Sequence, residues 1–370
     1  MADRRNVVII GAGAIGRGYL PWVVDDARHE LVFVDSNLQI VRPMRERGRY
    51  RSHRVREGRI ESRDVLVKDA CLPSEFDWRR YDPEVIFVNV GPRSVARIAT
   101  LLQGVTCPVI LCENDPATVE ILKPHLGGGL AVFAVPDVIT SNTAPAELLA
   151  EDSLATVTED GVLFIDERAR GAVHGDIQWL SERELVDQQW TAKLYLHNTP
   201  HCVTAYLGAL AGSRYVHEAM ARPAVAEIVA GSMKEMLTAL KLKWEIPHAF
   251  LDWYAEKELK RFANVQLYDP VSRVAREPLR KLDLDGRLIG AAQICLASGF
   301  IPHNILIGIA GALLFKDSND SDRHLDFMRG ALSSDIFLTH VLNLRRGEAL
   351  EILLRERMET IIKIVEGVRR

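Results

Sequence analysis

Asn6-Val7-Val8-Ile9-Ile10-Gly11-Ala12-Gly13-Ala14-Ile15-Gly16 sets a β-branched run against three spaced glycines, and Leu31-Val32-Phe33-Val34-Asp35 follows it. The order strand, glycine turn, helix to about Asp26, second strand and acid predicts a βαβ unit of the kind that binds dinucleotides. Gly11 permits the tight turn, Gly13 lets the backbone approach a pyrophosphate, and Gly16 lets the helix pack close to the strand. Ala14 and Ile15 open that helix, where free amides face the phosphates. Asp35 stands 19 residues after Gly16. A carboxylate there accepts ribose hydroxyls and repels a 2′-phosphate, so the expected cofactor is NAD rather than NADP.

Further apolar runs follow at Val85–Val88, Val109–Leu111 and Ala131–Ala134. They lack alternation, as parallel strands covered on both faces do. The segments after them carry Gly91, then Glu113 and Asn114, then Asp137. Ligands of such sheets bind beyond the carboxyl ends of the strands, so these segments are expected to border the cofactor. Thr156–Thr158 and Val162–Ile165 alternate and are read as an antiparallel extension of the sheet. From about Glu182 the period is helical, with runs at Ala224–Leu240, Asp252–Phe262, Leu288–Ser298 and Ala349–Val368. The fold class is therefore α/β: a Rossmann-type domain with a mostly parallel sheet over 1–185, then an all-helical domain over 186–370.

Composition narrows the class further. A chain of 370 residues with 48% hydrophobic and 26% charged content has room for two cores. A net charge of −4 gives no general attraction to nucleic acid or to a membrane surface. Cys71, Cys107, Cys112, Cys202 and Cys295 are scattered without a CxxC pair, which fits a reducing cytoplasm and neither a disulfide framework nor a zinc site. The apolar run at the N-terminus is too short for a signal peptide, and no run approaches the ~20 residues of a membrane span. A soluble, cytoplasmic protein is expected, monomeric or a small homo-oligomer, with a small molecule as its partner. Arg45, Arg47, Arg49, Arg51, Arg54, Arg56 and Arg59 crowd the stretch 42–63. They suit a phosphate, but a solvated basic loop accounts for them more simply.

Chemistry concentrates in Lys193-Leu194-Tyr195-Leu196-His197-Asn198-Thr199-Pro200-His201. On an α-helix Lys193, Asn198 and His201 would point near 0°, roughly 140° and about 80°, on one side of the axis. A lysine in an apolar site can serve as general base, and a neutral amide can hold a developing alkoxide. On spacing alone the same residues fit a solvated surface. Pro200 lacks an amide donor and suits a helix's first turn, so Asn198 or Thr199 is a candidate cap for a new helix.

With the glycine turn at one end and Lys193-x4-Asn198-x2-His201 opening the helical part, the chain resembles the polyol-specific long-chain dehydrogenases, the mannitol dehydrogenase family. Within it the likeness is greatest to members acting on mannitol 1-phosphate. The likeness rests on Gly11–Gly18, Asn89-Val-Gly-Pro92, Cys112-Glu113-Asn114 and Lys193–Gly208. Arg261-Phe-Ala-Asn264, Arg276-Glu-Pro-Leu-Arg280-Lys281-Leu282, Asp285-Gly-Arg287-Leu-Ile289, Pro302-His-Asn304 and Gly308-Ile-Ala-Gly extend it along nearly the whole chain.

The resemblance implies a metal-independent oxidoreductase that passes hydride between NAD and a sugar alcohol or its keto sugar. Lys193 would be the base, Asn198 would hold the reacting oxygen, and His201 would orient lysine or substrate. His197 reads as packing or surface. Arg276, Arg280 and Lys281 form a basic group suited to a substrate phosphate, or else to salt bridges with Glu277, Asp283 and Asp285. The chain departs from the family at Val135–Asn142, where an arginine of the substrate edge is missing; Asp137 or Asn142 is expected to replace that contact. Pro200 stands where glycine is common. Mannitol 1-phosphate and fructose 6-phosphate are the expected pair. A non-phosphorylated polyol, a hexuronate, or a non-catalytic NAD-binding protein are the alternatives.

Overall fold

The computed structural model describes residues 4–142, 145–316, 325 and 328–368. The chain divides into two compact units, Met1–Trp190 and Thr191–Arg370. The boundary falls a few residues beyond the one at 185/186 read from the sequence.

In the first unit the chain forms strands β1 (Arg5–Ile10), β2 (His29–Val34), β3 (Arg49–Arg56), β4 (Arg59–Leu66), β5 (Asp69–Cys71) and β6 (Pro83–Val88). It continues with β7 (Val109–Leu111), β8 (Ala131–Asp137), β9 (Thr140–Ser141), β10 (Thr156–Glu159), β11 (Val162–Asp166) and β12 (Ile177–Leu180). Among the described residues the main sheet has the order β12-β11-β8-β7-β6-β1-β2-β5. Its strands run parallel except at the β8–β11 junction. The interior of β1 is wholly buried, as expected for a strand covered on both faces. The strand order reverses beside β1, with β2 on one side and β6 on the other. That reversal opens a crevice at the carboxyl ends of the strands, the place where doubly wound sheets take ligands.

Three local readings change. The segment after the glycine turn is a π-helix over Ala14–Tyr19 followed by a short α-helix, Leu20–Val23, and it stops before Asp26. Of the two strands read as an antiparallel extension, β11 joins the main sheet against β8, whereas β10 joins a separate sheet of order β4-β3-β10-β9. Nor is the arginine-rich stretch a solvated loop. It comprises the end of the helix Leu38–Arg47 and the β3–β4 hairpin, turning through Glu57 and Gly58 at positive φ. Its side chains are distributed among carboxylates: Arg47 to Asp152, Arg51 to Asp64, Arg54 to Glu61 and Asp160, and Arg56 to Asp160. Alternation along a strand spread these charges over two faces, which a one-dimensional count of arginines hides.

The second unit is helical. Its central helix, Thr199–Leu210, buries every side chain from Thr199 to Gly208, so it reads as apolar all round rather than amphipathic. Pro223–Lys243 and His303–Leu314 pack against it. Glu235 of the former accepts the backbone N–H groups of Asn304 and Ile305 and the Asn304 amide, each at 2.8–3.0 Å. The Pro302-His303-Asn304 motif thus caps a helix with an acid, which favours the positive end of the helix dipole.

Candidate active site

The first unit offers a dinucleotide cradle. Gly11 has φ +93°, and a Cβ there would lie 2.4 Å from the Asn89 carbonyl oxygen. A Cβ on Gly16 would lie 1.9 Å from the Gly11 carbonyl oxygen. Neither position admits a side chain. Over Gly13 nothing lies within 4 Å of a Cβ, so the turn is open where a phosphate would approach. Gly13 makes no side-chain cap to the helix that opens with Ala14 and Ile15. The orphan amides of that end suit an anion. Asp35, just past β2, accepts the Ala12 N–H at 2.7 Å and the Asn37 N–H at 2.8 Å. Its carboxylate is thereby fixed against the turn. Beneath lies buried Arg17, whose Nη1 donates to the Ala12 carbonyl at 2.5 Å. These residues fit a dinucleotide.

Gly91, at φ +87°, opens the helix Pro92–Ile98. Glu113 after β7 is buried, and its Oε1 accepts the N–H groups of Val90 at 2.7 Å and Gly91 at 3.1 Å. Burial pushes its carboxyl up to about 7, against those two hydrogen bonds. Glu113 therefore braces the Gly91 loop. Asn114 beside it is exposed. Asp137 is the last residue of β8, paired opposite Val162 and 4% exposed, where the sequence suggested a loop. Asn142 follows β9 in the smaller sheet and is exposed.

In the second unit Lys193–Asn198 is a π turn that passes directly into the helix Thr199–Leu210. The i→i+5 bonding of a π turn adds a residue per turn, bringing Lys193 and Asn198 nearer one face than α geometry would. Such turns recur at functional sites. Lys193, Asn198 and His201 are 9%, 5% and 4% exposed, so the trio is not a solvated surface. Asn198 occupies the cap position of the following helix without a side-chain cap bond. Its Nδ2 is buried and has no hydrogen-bond partner among the described residues. A buried amide donor without an acceptor is costly, so this atom fits an oxygen brought by a ligand.

His201 Nε2 lies 2.9 Å from Asp269 Oδ2, although the ring N–H is not aligned on that oxygen. Arg273 Nε and Nη2 both donate to Asp269 Oδ1, at 2.8 and 2.6 Å. Burial pushes the Asp269 carboxyl up, but Arg273 and His201 outweigh it and hold the group well below the usual carboxylate range. Burial keeps His201 low and neutral despite Asp269.

His197, read from the sequence as packing or surface, is buried and belongs to a second group of buried polar side chains. Its Nδ1 lies 2.5 Å from Glu258 Oε2, while Arg261 Nη1 donates to Glu258 Oε1 at 2.6 Å. Burial pushes His197 down to about 4, more than Glu258 raises it. The His197 and His201 rings are 4.8 Å apart, and Phe262 stacks on His201. Glu258 and Asp269 lie about sixty and seventy residues downstream of the trio, and no local spacing marked them.

The basic group does not act as one cluster. Arg276 is exposed. Arg280 is partly exposed and pairs with Glu277 at 3.1 Å. Lys281 is 2% exposed, with Nζ donating to the carbonyls of Val274 and Arg276 and lying over the Tyr206 ring. Burial pulls its amino group down to about 8. Lys281 thus faces inward because its short helix, Pro278–Lys281, turns it toward the preceding segment. Among the described residues no three His, Cys, Asp or Glu side chains are grouped as metal ligands.

Residues 186–333 match the family model for the mannitol dehydrogenase C-terminal domain. The chain is 30% identical over 345 residues to the mannitol-1-phosphate 5-dehydrogenase of Caldanaerobacter subterraneus subsp. tengcongensis, covering 84% of this chain and 86% of that one. It is also 30% identical over 347 residues to the enzyme of the same name from Thermoanaerobacter pseudethanolicus, with 85% and 87% covered. Among solved structures, Pseudomonas fluorescens mannitol 2-dehydrogenase in ternary complex with NAD and D-mannitol superposes with a TM-score of 0.76 at 15% identity, covering 99% of this chain and 94% of that one. A D-sorbitol dehydrogenase in substrate-free form gives 0.65 at 14% identity, with 99% and 95% covered. At these identities the structural likeness speaks for the fold.

Proposed function

The chain belongs to the mannitol dehydrogenase family, and on that premise we propose that it is an NAD-dependent oxidoreductase interconverting a polyol phosphate and its keto-sugar phosphate, mannitol 1-phosphate and fructose 6-phosphate being the pair. The observation that carries the reading is the buried Asn198 Nδ2, without a hydrogen-bond partner among the described residues, on the same π turn as buried Lys193. Alcohol oxidation needs a proton acceptor and a donor for the oxygen that gains charge. Lys193 takes the hydroxyl proton, and Asn198 Nδ2 donates to the developing alkoxide. His201, held neutral by burial, orients the oxygen without adding a competing charge. NAD supplies the hydride acceptor when bound. Gly11, Gly13 and Gly16 admit its pyrophosphate, and Asp35 takes the adenosine ribose.

Arg276 and Arg280 are the groups available to a phosphate; Lys281 supports them from within by holding the Arg276 carbonyl. One observation favours a second reading, the same chemistry on an unphosphorylated polyol or a hexuronate: Glu277 already occupies Arg280. NADH oxidation measured with fructose 6-phosphate, fructose and hexuronates decides between them. Fructose 6-phosphate is expected to react far faster than fructose. Equal rates would remove the phosphate assignment, and silence with every keto sugar would remove the enzymatic one.

A further inference from the structure

Asn89 follows β6 at the point where the strand order reverses. Its N–H continues the parallel ladder by donating to the Ile10 carbonyl at 2.8 Å, and its own carbonyl abuts Gly11. Alternation along β6 therefore places the Asn89 side chain on the face of Val85 and Phe87. Those two residues pack in one cluster with Ala12, Tyr19 and Leu20, so this face is the one covered by the helix that follows the glycine turn. Both atoms of the Asn89 carboxamide, Nδ2 and Oδ1, are buried without a hydrogen-bond partner among the described residues. A primary amide has two donors and an acceptor, and leaving all of them unmet in the interior is costly.

We infer that the Asn89 carboxamide binds the ribose on the nicotinamide side of the dinucleotide. The inference rests on the dinucleotide reading of this unit. A phosphate oxygen only accepts and would leave Oδ1 unmet, whereas a ribose hydroxyl both donates and accepts. Asp35 lies past β2, on one side of β1, fixed against the Ala12 amide, and the dinucleotide reading gives it the adenosine ribose. A dinucleotide lying across the reversal point then brings its other ribose to β6, where Asn89 stands. Asn89 is thus a cofactor-binding residue beyond those expected from the glycine motif.

Titration of the parent chain and Asn89→Ala with NADH, ADP-ribose and ADP tests this directly. The variant is expected to bind NADH and ADP-ribose about tenfold more weakly and ADP within about twofold of the parent, as the loss of one amide's hydrogen bonds predicts. Equal weakening for ADP, or no weakening for any ligand, would overturn the assignment. The thermal midpoint without cofactor is expected to hold, because an unpaired amide has no partner to lose; a large fall would show that Asn89 is structural. Asn89→Asp, which keeps the volume but removes the donors, is expected to give the same ligand order. A parent chain that binds none of the three would instead dispose of the dinucleotide reading itself.

Discussion

His201 Nε2 stands 2.9 Å from Asp269 Oδ2 in a setting where both residues are nearly closed to solvent, at 4% and 3% exposure. The carboxylate is held on its far side by Arg273. It is also held by its backbone: Tyr268 before it sits at φ +48°, and the Asp269 carbonyl accepts the Val216 N–H at 3.0 Å. Left-handed backbone at a non-glycine residue stores strain that persists where surroundings over-determine it. If His201 acts as proposed, Asp269 is its positioning residue. Asp269→Asn is expected to lower kcat by roughly ten- to a hundredfold, the scale of a misplaced catalytic group, while NADH affinity stays within about twofold. It should also destabilise by about 1–3 kcal/mol, since Arg273 loses its charged partner. Asp269 titrates below its unfolded value, so its stabilisation is full above about pH 4 and is lost as pH falls further. The deficit of the variant should therefore be full at pH 7 and narrow in acid; a deficit independent of pH would contradict the charged pairing.

Lys193→Ala separates proton chemistry from binding. General-base catalysis contributes typically about 10²–10⁴-fold, so kcat is expected to fall by that order. NADH affinity, which the dinucleotide reading gives to the first unit, should stay within about twofold. Steady-state rates beside a fluorescence titration of NADH check both halves, and a variant retaining full kcat would remove Lys193 as the base.

What could be read from the chain depended on how local the determinant was. The glycine turn and Asp35 are neighbours in sequence and in space, so their spacing carried the cradle. Lys193, Asn198 and His201 were visible for the same reason, though the π turn that aligns them has no spacing rule and was read as α. Glu258 comes from another helix and Asp269 from a connection between helices, and only the packed structure brings them to His197 and His201. Lys281 misled in the opposite sense. Its charge beside Arg280 suggested a shared task, but burial turned its amino group to two carbonyls. The arginine-rich hairpin did likewise, because carboxylates as distant as Asp152 and Asp160 answer it.

Arg280 and Lys281 should therefore respond differently to substitution. Arg280→Ala is expected to raise KM for fructose 6-phosphate about tenfold and leave KM for unphosphorylated sugars alone, since it removes a ground-state contact. Lys281→Met is expected to show itself chiefly in the thermal midpoint, because its amino group ties two backbone carbonyls. An Arg280→Ala enzyme with an unchanged KM would confine that guanidinium to its pair with Glu277.

The proposed ribose contact gives Asp35 the cofactor preference in addition to its structural duty of holding the Ala12 and Asn37 amides. Asp35→Asn keeps an acceptor for one amide and removes the charge that repels a 2′-phosphate. Its NADP to NAD ratio of kcat/KM is expected to rise by about tenfold or more. A ratio unchanged from the parent would contradict the ribose contact.

Glu113 gives the clearest pH signature. Its folded carboxyl titrates near about 7, above its unfolded value, because burial disfavours the charge more than the Val90 and Gly91 N–H groups restore it. A folded state that binds the proton more tightly gains stability below the unfolded pKa and loses that gain as pH rises through the folded one. Between about pH 4.5 and pH 7 the parent should therefore lose stability from this group, through a buried carboxylate that must ionise. Glu113→Gln keeps an oxygen for the two backbone N–H groups and has no charge to bury. Relative to the parent it should gain about 1–3 kcal/mol between pH 5 and pH 8. Thermal midpoints of both proteins across that range measure the difference. A gap that stays constant with pH would show that the brace on Gly91 does not titrate there.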